Sequence, residues 1–215
     1  MEIDHIFIFS NTNGKEVDDL VNFGFTEGSS RIHSGQGTTN RKIYFDNFFL
    51  EFLWVIDEKE IRSETTAVTK LWERSQFEKN KYSPYGLCLV NSNTTDELFK
   101  KSKTYQPNYF PQGMSIDMIT NEENPKLPWT FRLPYRGEKK EHNEPIEHRN
   151  GIKSLTRATF EIATDNGNTE YEGYFKNIEN IVFNKSNRTI LILEFDHNIQ
   201  RKSKKFPQQN LEIEY

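Results

Sequence analysis

The sequence predicts an α+β fold in which a unit of one strand, one helix and further strands occurs about three times. Three observations support this prediction. Short segments rich in β-branched and aromatic residues are bounded by turn residues, as in strands. Short stretches with apolar residues at helical spacing lie between some of these segments. The segments recur in a similar order, which favours an internally repeated structure.

The first unit, residues 1–56, has the clearest pattern. Its predicted order is β-α-β-β-β, with a helix end at Gly24 and a tight turn at Asp46-Asn47. The predicted elements are a strand over 3–9, a helix over 15–23, a weaker strand over 25–32, and strands over 42–45 and 48–56.

A charged connector leads from the first unit to the second, residues 84–135, and contains a predicted linker helix over 66–78. In the second unit, Asn93 or Thr94 is expected to cap a helix. The predicted elements are a strand over 85–90, that helix up to about Ser102, and strands over 112–120 and 129–133. Residues 134–151 form a predicted long loop.

The third unit is predicted over residues 152–198, again as a strand, a short helix and two strands. The basic tail over 200–205 is expected to fray, and Leu211 and Ile213 to add an edge strand. The predicted elements are a strand over 155–163, a helix over 168–178, and strands over 180–183 and 189–195.

Composition excludes several classes of protein. The chain has 215 residues, a net charge of −4 and 34% apolar residues, yet it contains 17 Phe, 9 Tyr and 3 Trp, which is enough to fill a core. There is no apolar run of about 18 residues, so no membrane-spanning helix is expected. The acidic balance argues against nucleic acid as a partner. We therefore expect one cytoplasmic domain over residues 1–215.

One cysteine, Cys88, excludes an internal disulfide and a cysteine-based zinc site.

Alternation along the strands indicates which way a histidine and a carboxylate point. Glu51 shares one strand face with Phe49 and Leu53, and His5 shares a face with Phe7 and Phe9. If these faces line a cavity, His5 and Glu51 can bind a divalent metal. The ordinary alternative is an exposed Glu51 and a core histidine.

The glycine-rich segment 33–41 is a candidate ligand-binding rim, because glycine allows close backbone approach. It lacks the spacing of a phosphate-binding loop, and a plain hairpin loop is the alternative. His148 precedes an Asn-Gly turn and is a further candidate at the cavity mouth, as is the aromatic Trp129. The predicted substrate-binding residues are His33, Gly37, Thr38, Asn40, Arg41, Trp129 and His148.

These residues resemble a known superfamily. The segment Ile3-Asp4-His5-Ile6, a helix ending in Phe23-Gly24-Phe25 and a strand bearing Leu50-Glu51 resemble the vicinal oxygen chelate proteins, which include glyoxalase I, extradiol dioxygenases, fosfomycin-resistance and bleomycin-binding proteins. The pattern His33-x-Gly35-x-Gly37-Thr38-x-Asn40-Arg41, then Phe49-Leu50-Glu51 and His148-x-Asn150-Gly151, resembles the glyoxalase-like branch.

The resemblance implies βαβββ modules paired into a cupped, mostly antiparallel mixed sheet with helices outside. It also implies metal ligands on the first and last strands of each module. His5 and Glu51 match these positions in the first unit, and Glu194 matches the last strand of the third. The second unit offers only Gly86 at its first-strand position. Such sheets often complete themselves in dimers, so the resemblance also implies that a homodimer can form.

Two functions follow as hypotheses. The first is a metal-dependent lyase, isomerase or dioxygenase that acts on a small molecule, with Glu51 as the catalytic carboxylate and His5, Glu51 and Glu194 as metal ligands. The second is a non-catalytic protein that binds a small molecule in an aromatic-lined cavity. Stabilisation by an organic ligand in the presence of EDTA would favour the second.

Overall fold

The computed structural model describes residues 1–137, 139, 143–163 and 169–215. The first unit follows the predicted order, and its last strand β4 lies parallel to its first strand β1. The weak strand predicted over 25–32 is wrong: it reduces to a single bridge at Glu27 and the short β2. The elements are β1 (Ile3–Phe9), α1 (Val17–Phe23), β2 (Ile32–His33), β3 (Thr38–Phe45) and β4 (Phe48–Val55).

The linker is not one helix over 66–78 but three short ones: α2 (Glu58–Ile61), α3 (Glu64–Ala67) and α4 (Leu71–Ser75). Lys70 has a φ of 60° between α3 and α4. A left-handed residue cannot continue a right-handed helix, so the chain turns there. Ile61 and Leu71 pack with Phe7 and Trp129 of the sheet, which places the linker on the concave side of the sheet.

The second unit repeats the strand pattern of the first but not its helix. Its elements are β5 (Tyr85–Asn91), β6 (Lys103–Tyr105), β7 (Ile116–Ile119) and β8 (Trp129–Arg136). The helix predicted up to Ser102 is wrong, since only a 3-10 turn forms over Asn93–Thr95. The Thr95 hydroxyl donates to the Ser92 carbonyl and accepts from the Ser92 amide, and such local bonds compete with a helix.

The first two units pair into one curled sheet. The strand order is β2-β3-β4-β1-β5-β8-β7-β6, with β1 and β5 antiparallel at the centre. On both sides of that centre, the last strand of a unit lies parallel to its first. The sequence left open which units pair, and in the structure the first unit pairs with the second. The predicted α+β fold with a cupped mixed sheet is confirmed.

The third region has a different strand order. Its strands β9 (Leu155–Ala163), β10 (Ile181–Ser186), β11 (Ile190–Phe195), β12 (Ser203–Phe206) and β13 (Leu211–Glu214) form a five-stranded sheet with α5 (Glu170–Gly173). The order is β10-β9-β11-β13-β12, so β9 lies parallel to β10 and not to the last strand. The prediction of a third similar unit is thereby corrected to two units and a separate sheet.

The tail also differs from its prediction. The basic segment does not fray but becomes the edge strand β12, and β13 lies inside the sheet between β11 and β12. The predicted helix over 168–178 is reduced to α5, and Asn168 lies outside the described residues. No helix in the described part of the chain is both long and apolar enough to cross a bilayer.

The main core lies between the two sheets. Alternate residues of β1 and β4 point into it, and the second sheet contributes a matching set. The intervening residues of β1 and β4 point to the concave side of the sheet. Successive side chains of each strand therefore point alternately into the core and into the cavity. The alternate core residues are Ile6, Ile8, Leu50 and Phe52 of the first sheet and Phe160, Leu191, Leu193 and Phe195 of the second.

Candidate functional site

A cavity of about 200 Å³ opens on the concave side of the eight-stranded sheet. Both units and the linker contribute to its wall. Alternation brings His5 and Phe7 of β1 and Glu51 of β4 to the same wall, as the sequence pattern predicts. The remaining lining residues are Arg31, His33, Gln36, Asn40, Lys42, Phe49, Leu53, Leu71, Tyr109, Phe110, Ile116, Trp129, Phe131, Leu133 and Pro134.

A β-bulge positions the Asp4 carboxylate beside His5. The pairing of β1 with β5 slips between Ile3 and His5, so Asp4 has no partner of its own in that ladder. Bulges re-aim side chains in this way. Asp4 Oδ1 lies 2.6 Å from His5 Nδ1. A carboxylate accepts this bond, so Nδ1 carries a proton.

His5 Nε2 faces Glu51. The distance from Nε2 to Glu51 Oε2 is 3.7 Å, longer than a hydrogen bond. The other oxygen of Glu51 accepts a hydrogen bond of 2.5 Å from Asn40 Nδ2, and Asn40 Oδ1 accepts one from the Arg31 amide. Both Glu51 and Asn40 are buried. Asn40 therefore orients the carboxylate and leaves Oε2 and His5 Nε2 facing each other.

A second chain of hydrogen bonds ends at His33. The Tyr109 hydroxyl donates to Gln36 Oε1, and Gln36 Nε2 donates to Thr38 Oγ1 at 2.9 Å. His33 Nδ1 lies 3.0 Å from the same Thr38 oxygen. The Thr38 hydroxyl has one proton to donate while it accepts from Gln36. In the tautomer in which Thr38 donates to Nδ1, the proton of the neutral His33 ring lies on Nε2.

Burial keeps His33 neutral. Removal from water lowers the pKa of His33 below its ordinary value of 6.5, although the charge of Glu51 opposes the shift. The charges of Arg31 and Lys42 lower that pKa further. His33 thus lies within electrostatic reach of both cations and of the Glu51 carboxylate.

The second unit supplies the aromatic wall. Trp129 and Phe131 alternate along β8 with ring centroids 4.6 Å apart. The His5 ring stacks on Phe49 at 4.3 Å and meets the edge of Phe131 at 5.3 Å. Trp129 Nε1 is buried with no hydrogen-bond partner among the described residues. The second unit therefore supplies four of the six Phe, Tyr and Trp rings in the lining, and Phe7 and Phe49 of the first unit supply the other two.

Three of the predicted rim residues do not line the cavity. Gly37 packs against α2, where a Cβ would lie 2.2 Å from the Asp57 carbonyl oxygen. Thr38 is buried and acts through its bond to His33. Arg41 occupies the opposite face of β3, and its guanidinium pairs with Glu27 at 2.6 Å. Strand alternation separates Arg41 from Asn40, which does line the cavity.

His148 is also elsewhere. Its ring lies between Phe25 and Phe45, at centroid distances of 5.1 Å and 4.7 Å. Its Nδ1 accepts a hydrogen bond of 3.0 Å from the Thr26 amide. Burial lowers the pKa of His148 below 6.5. The loop from the second unit therefore docks on the first unit through this ring and does not deliver it to the cavity.

Glu194 lies on β11 of the second sheet. Its carboxylate pairs with Arg157 at 2.5 Å on the neighbouring strand β9. It does not line the cavity that contains His5 and Glu51. The sequence could not show this, because the assignment required the third region to repeat the order of the first.

Other cavity residues were not predicted from the sequence. Lys42 shares a face of β3 with Asn40, so alternation carried a usable signal for it. Arg31, Gln36 and Tyr109 reach the cavity from turns and loops, where no periodicity exists to reveal a direction. The contact of Asp4 with His5 was not predicted, because a β-bulge interrupts the strand alternation from which side-chain directions were inferred.

One group of three metal-ligating residue types is compact within the described part of the chain. Ligand atoms of Asp4, His5 and Cys88 lie within 4.8 Å of one another. Cys88 is fully buried, and burial raises the pKa of its thiol, as do the charges of Asp4 and Glu51. A metal prefers the thiolate, so this environment opposes metal binding at Cys88.

Comparisons with known proteins agree with this architecture. The family model described as a glyoxalase-like domain matches residues 3–170, which include both units and every lining residue of the cavity. A hypothetical protein from Staphylococcus aureus has a similar structure, with a TM-score of 0.56, 11% sequence identity, and coverage of 99% of this chain and 98% of that one.

A second structure, hypothetical protein BH1468 from Bacillus halodurans C-125, has a TM-score of 0.40 and 10% identity, and the match covers 66% of this chain and 98% of that one. Among curated proteins, none matches the sequence. The likeness to the Staphylococcus protein concerns the fold alone, whereas the family model spans more than half of the chain. The chain belongs to the family of glyoxalase-like domains.

Proposed function

We propose that the protein binds a small organic molecule in the cavity between its two units and that His5 and Glu51 contact the polar group of this ligand. One observation carries the proposal: a polar wall from the first unit faces an aromatic wall from the second across about 200 Å³. Mostly apolar pockets with a few convergent polar groups are typical ligand sites.

The polar wall supports proton transfer as well as binding. With Nδ1–H held by Asp4, the neutral form of the His5 ring presents a lone pair at Nε2, and Glu51 Oε2 lies 3.7 Å from that atom. Either group can accept a proton from a ligand placed between them and the rings. Glu51 is the stronger candidate for a catalytic base, because Asn40 fixes its carboxylate through one oxygen and leaves the other free.

Thermal shift with a panel of small, flat organic molecules in the presence of EDTA tests the binding. We expect stabilisation by part of the panel. The variant Leu133→Trp would fill part of the cavity, which Leu133 lines, and should abolish the shift while the protein stays folded. A shift that persists unchanged in this variant would place the ligand elsewhere and overturn the proposal.

A divalent metal is the second candidate, and the bond from Asp4 to His5 favours it. Histidines that bind metals usually donate their other ring N–H to a carboxylate. His5 Nε2 and Glu51 Oε2 would hold the ion, which would polarise an oxygen of the ligand. Their separation of 3.7 Å suits two ligands of one ion with bonds of about 2.0–2.2 Å.

The donor set is incomplete for catalysis. Catalytic zinc sites commonly use three protein ligands, and the described cavity wall offers only this pair within reach. The second unit has Gly86 and Phe131 on the strands that correspond to β1 and β4. The lyase, isomerase and dioxygenase activities stay predictions that depend on this metal.

Metal binding can be tested site by site. Equilibrium dialysis against Ni²⁺, Zn²⁺ or Mn²⁺, followed by elemental analysis, should give one ion per wild-type chain. Glu51→Gln should lose the ion, whereas Glu194→Gln should keep it, because Glu194 lies on the other sheet. Retention in Glu51→Gln together with loss in Cys88→Ser would instead assign the ion to the group around Cys88.

The assembly of the chain stays a prediction from the resemblance. A homodimer would have twice the 25.5 kDa mass of one chain. Light scattering coupled to gel filtration distinguishes the two masses.

A further inference from the structure

The charges at the cavity are unequal. Arg31 and Lys42 line it as cations, whereas Glu51 is the one carboxylate among its described lining residues. The histidines apart, the lining side chains carry two positive charges and one negative charge. Arg31 directly precedes β2 and Lys42 lies on β3, so both cations come from the first unit.

Neither cation forms an ion pair within the described part of the chain. The Arg31 guanidinium carbon lies 4.9 Å from the centroid of the Tyr109 ring. Lys42 Nζ lies 5.2 Å from the Tyr44 centroid and 5.8 Å from the Phe49 centroid. Cation–π contacts hold the side chains in place but do not cancel their charge. Both charges therefore remain available to an anion.

His33 adds a directed donor at the same end. The side chain of His33 lines the cavity, and its Nδ1 lies 3.0 Å from Thr38 Oγ1. With Thr38 as the donor of that bond, the ring proton lies on Nε2 and a ligand meets an N–H. Because burial keeps the ring neutral, this donor adds no charge of its own.

The aromatic wall opposite these polar groups favours a flat ligand. Trp129, Phe131 and Phe49 surround the position at which the polar wall ends. Aromatic side chains prefer offset or edge contacts with other rings. A flat ring in the ligand can make such contacts, whereas a bulky aliphatic group would leave gaps.

We propose that the ligand is a flat aromatic carboxylate, whose ring lies against Trp129 and Phe131 and whose carboxylate accepts from Arg31, Lys42 and His33. This inference rests on the proposed small-molecule function and narrows it to one chemical class. Glu51 is the cross-strand neighbour of Lys42, and its carboxylate can act on a second polar substituent of the ring.

Four probes of similar size test the class by isothermal titration calorimetry: benzoate, benzamide, benzylamine and cyclohexanecarboxylate. We expect benzoate to bind about tenfold more tightly than benzamide, since a hydrogen bond to a charged group contributes about 1.5 kcal/mol or more. Benzylamine should bind most weakly, and cyclohexanecarboxylate more weakly than benzoate. Affinity for benzoate should fall as the salt concentration rises.

Variants identify the groups responsible. Arg31→Gln and Lys42→Gln should each weaken benzoate several-fold and leave benzamide unchanged. His33→Phe keeps a ring but removes the donor, and should weaken both probes. Two exposed residues away from the cavity, Lys185 on β10 and Arg188 in the turn that follows it, serve as matched charge controls. Lys185→Gln and Arg188→Gln should change neither affinity.

The outcomes separate the two proposals. Equal affinity for benzamide and benzoate would overturn the anionic class but leave the small-molecule function standing. Tighter binding of benzylamine than of benzoate would overturn the anionic class and indicate a cationic ligand that pairs with Glu51. If none of the four probes binds and the wider panel also gives no shift, both proposals fail together.

Discussion

The two units of the eight-stranded sheet share a strand order but not a chemistry. In the first, the concave faces of β1 and β4 carry His5 and Glu51. In the second, the corresponding strands β5 and β8 carry Gly86 and Phe131. The first unit therefore supplies the imidazole and the carboxylate of the cavity wall, and the second supplies aromatic rings at the corresponding strand.

This difference shows that a repeated backbone does not require a repeated site. Backbone pairing depends on main-chain hydrogen bonds and on the core face, and both units satisfy these. The cavity face is free of that constraint. A ligand set taken from one unit therefore cannot be completed by symmetry from the other.

Removal of Trp129 should be the most damaging change to the aromatic wall. Trp129 is 3% exposed and contacts Phe7 and Phe131. Trp129→Ala should lower the free energy of unfolding by about 3–5 kcal/mol, because it leaves a cavity in a packed cluster. Denaturant unfolding measures this. The comparison variant Trp72→Ala, at a half-buried position on α4 at the edge of the same cluster, should cost less; an equal cost would contradict the deeper packing of Trp129.

A substitution at Gly86 tests how closely β5 of the second unit approaches the Phe7 ring of the first. A Cβ at this position would lie 2.0 Å from Phe7 Cε1, so Gly86→Ala should displace that ring. We expect a loss of about 1–3 kcal/mol from overpacking, and a weaker ligand shift because Phe7 lines the cavity. Gly173→Ala is the control, since a Cβ there has no neighbour within 4 Å. Equal stability of the two variants would contradict the close approach.

Asn40 tests the polar wall. Asn40→Ala removes the donor to the buried Glu51 carboxylate and the acceptor of the Arg31 amide. The expected loss of stability is about 1–3 kcal/mol, because a buried charged group loses a partner. Asn184→Ala, which removes an exposed amide bonded to Glu161, should change stability by less than about 0.5 kcal/mol. A similar cost for both would mean that Glu51 is solvated.

The smallest change in stability is expected from His148, which lies outside both walls of the cavity. Because the folded pKa of His148 lies below 6.5, the unfolded chain binds more protons as pH falls through that value. The stability from neutral His148 is therefore complete above about pH 6.5 and is lost as pH falls towards the folded pKa. His148→Asn keeps an acceptor for the Thr26 amide but does not titrate, and should flatten the pH profile of unfolding between pH 7 and 5.

The exposed His197 provides the control for that experiment. His197→Asn leaves His148 in place, and Asn tolerates the positive φ of 54° at this position. Its pH profile should match that of the wild type. If His148→Asn also matches, the depressed pKa of His148 is contradicted.

How far the site could be predicted varied with the local structure. His5 and Glu51 were predicted because they lie in regular strands, where direction alternates residue by residue. The helix over 93–102 was predicted wrongly because local hydroxyl bonds compete with helical ones. His148 was predicted at the cavity because a turn signal gives a position in the chain but no direction in space.

The sequence by itself determined the β-α-β order of the first unit and the shared wall of His5 and Glu51, since these follow from short-range periodicity. Only the tertiary structure decided that the second unit closes the cavity with rings, that Asp4 reaches His5 through a bulge, and that Glu194 belongs to another sheet. These depend on strand order and on one slip in register, which arise from pairing between residues far apart in the chain.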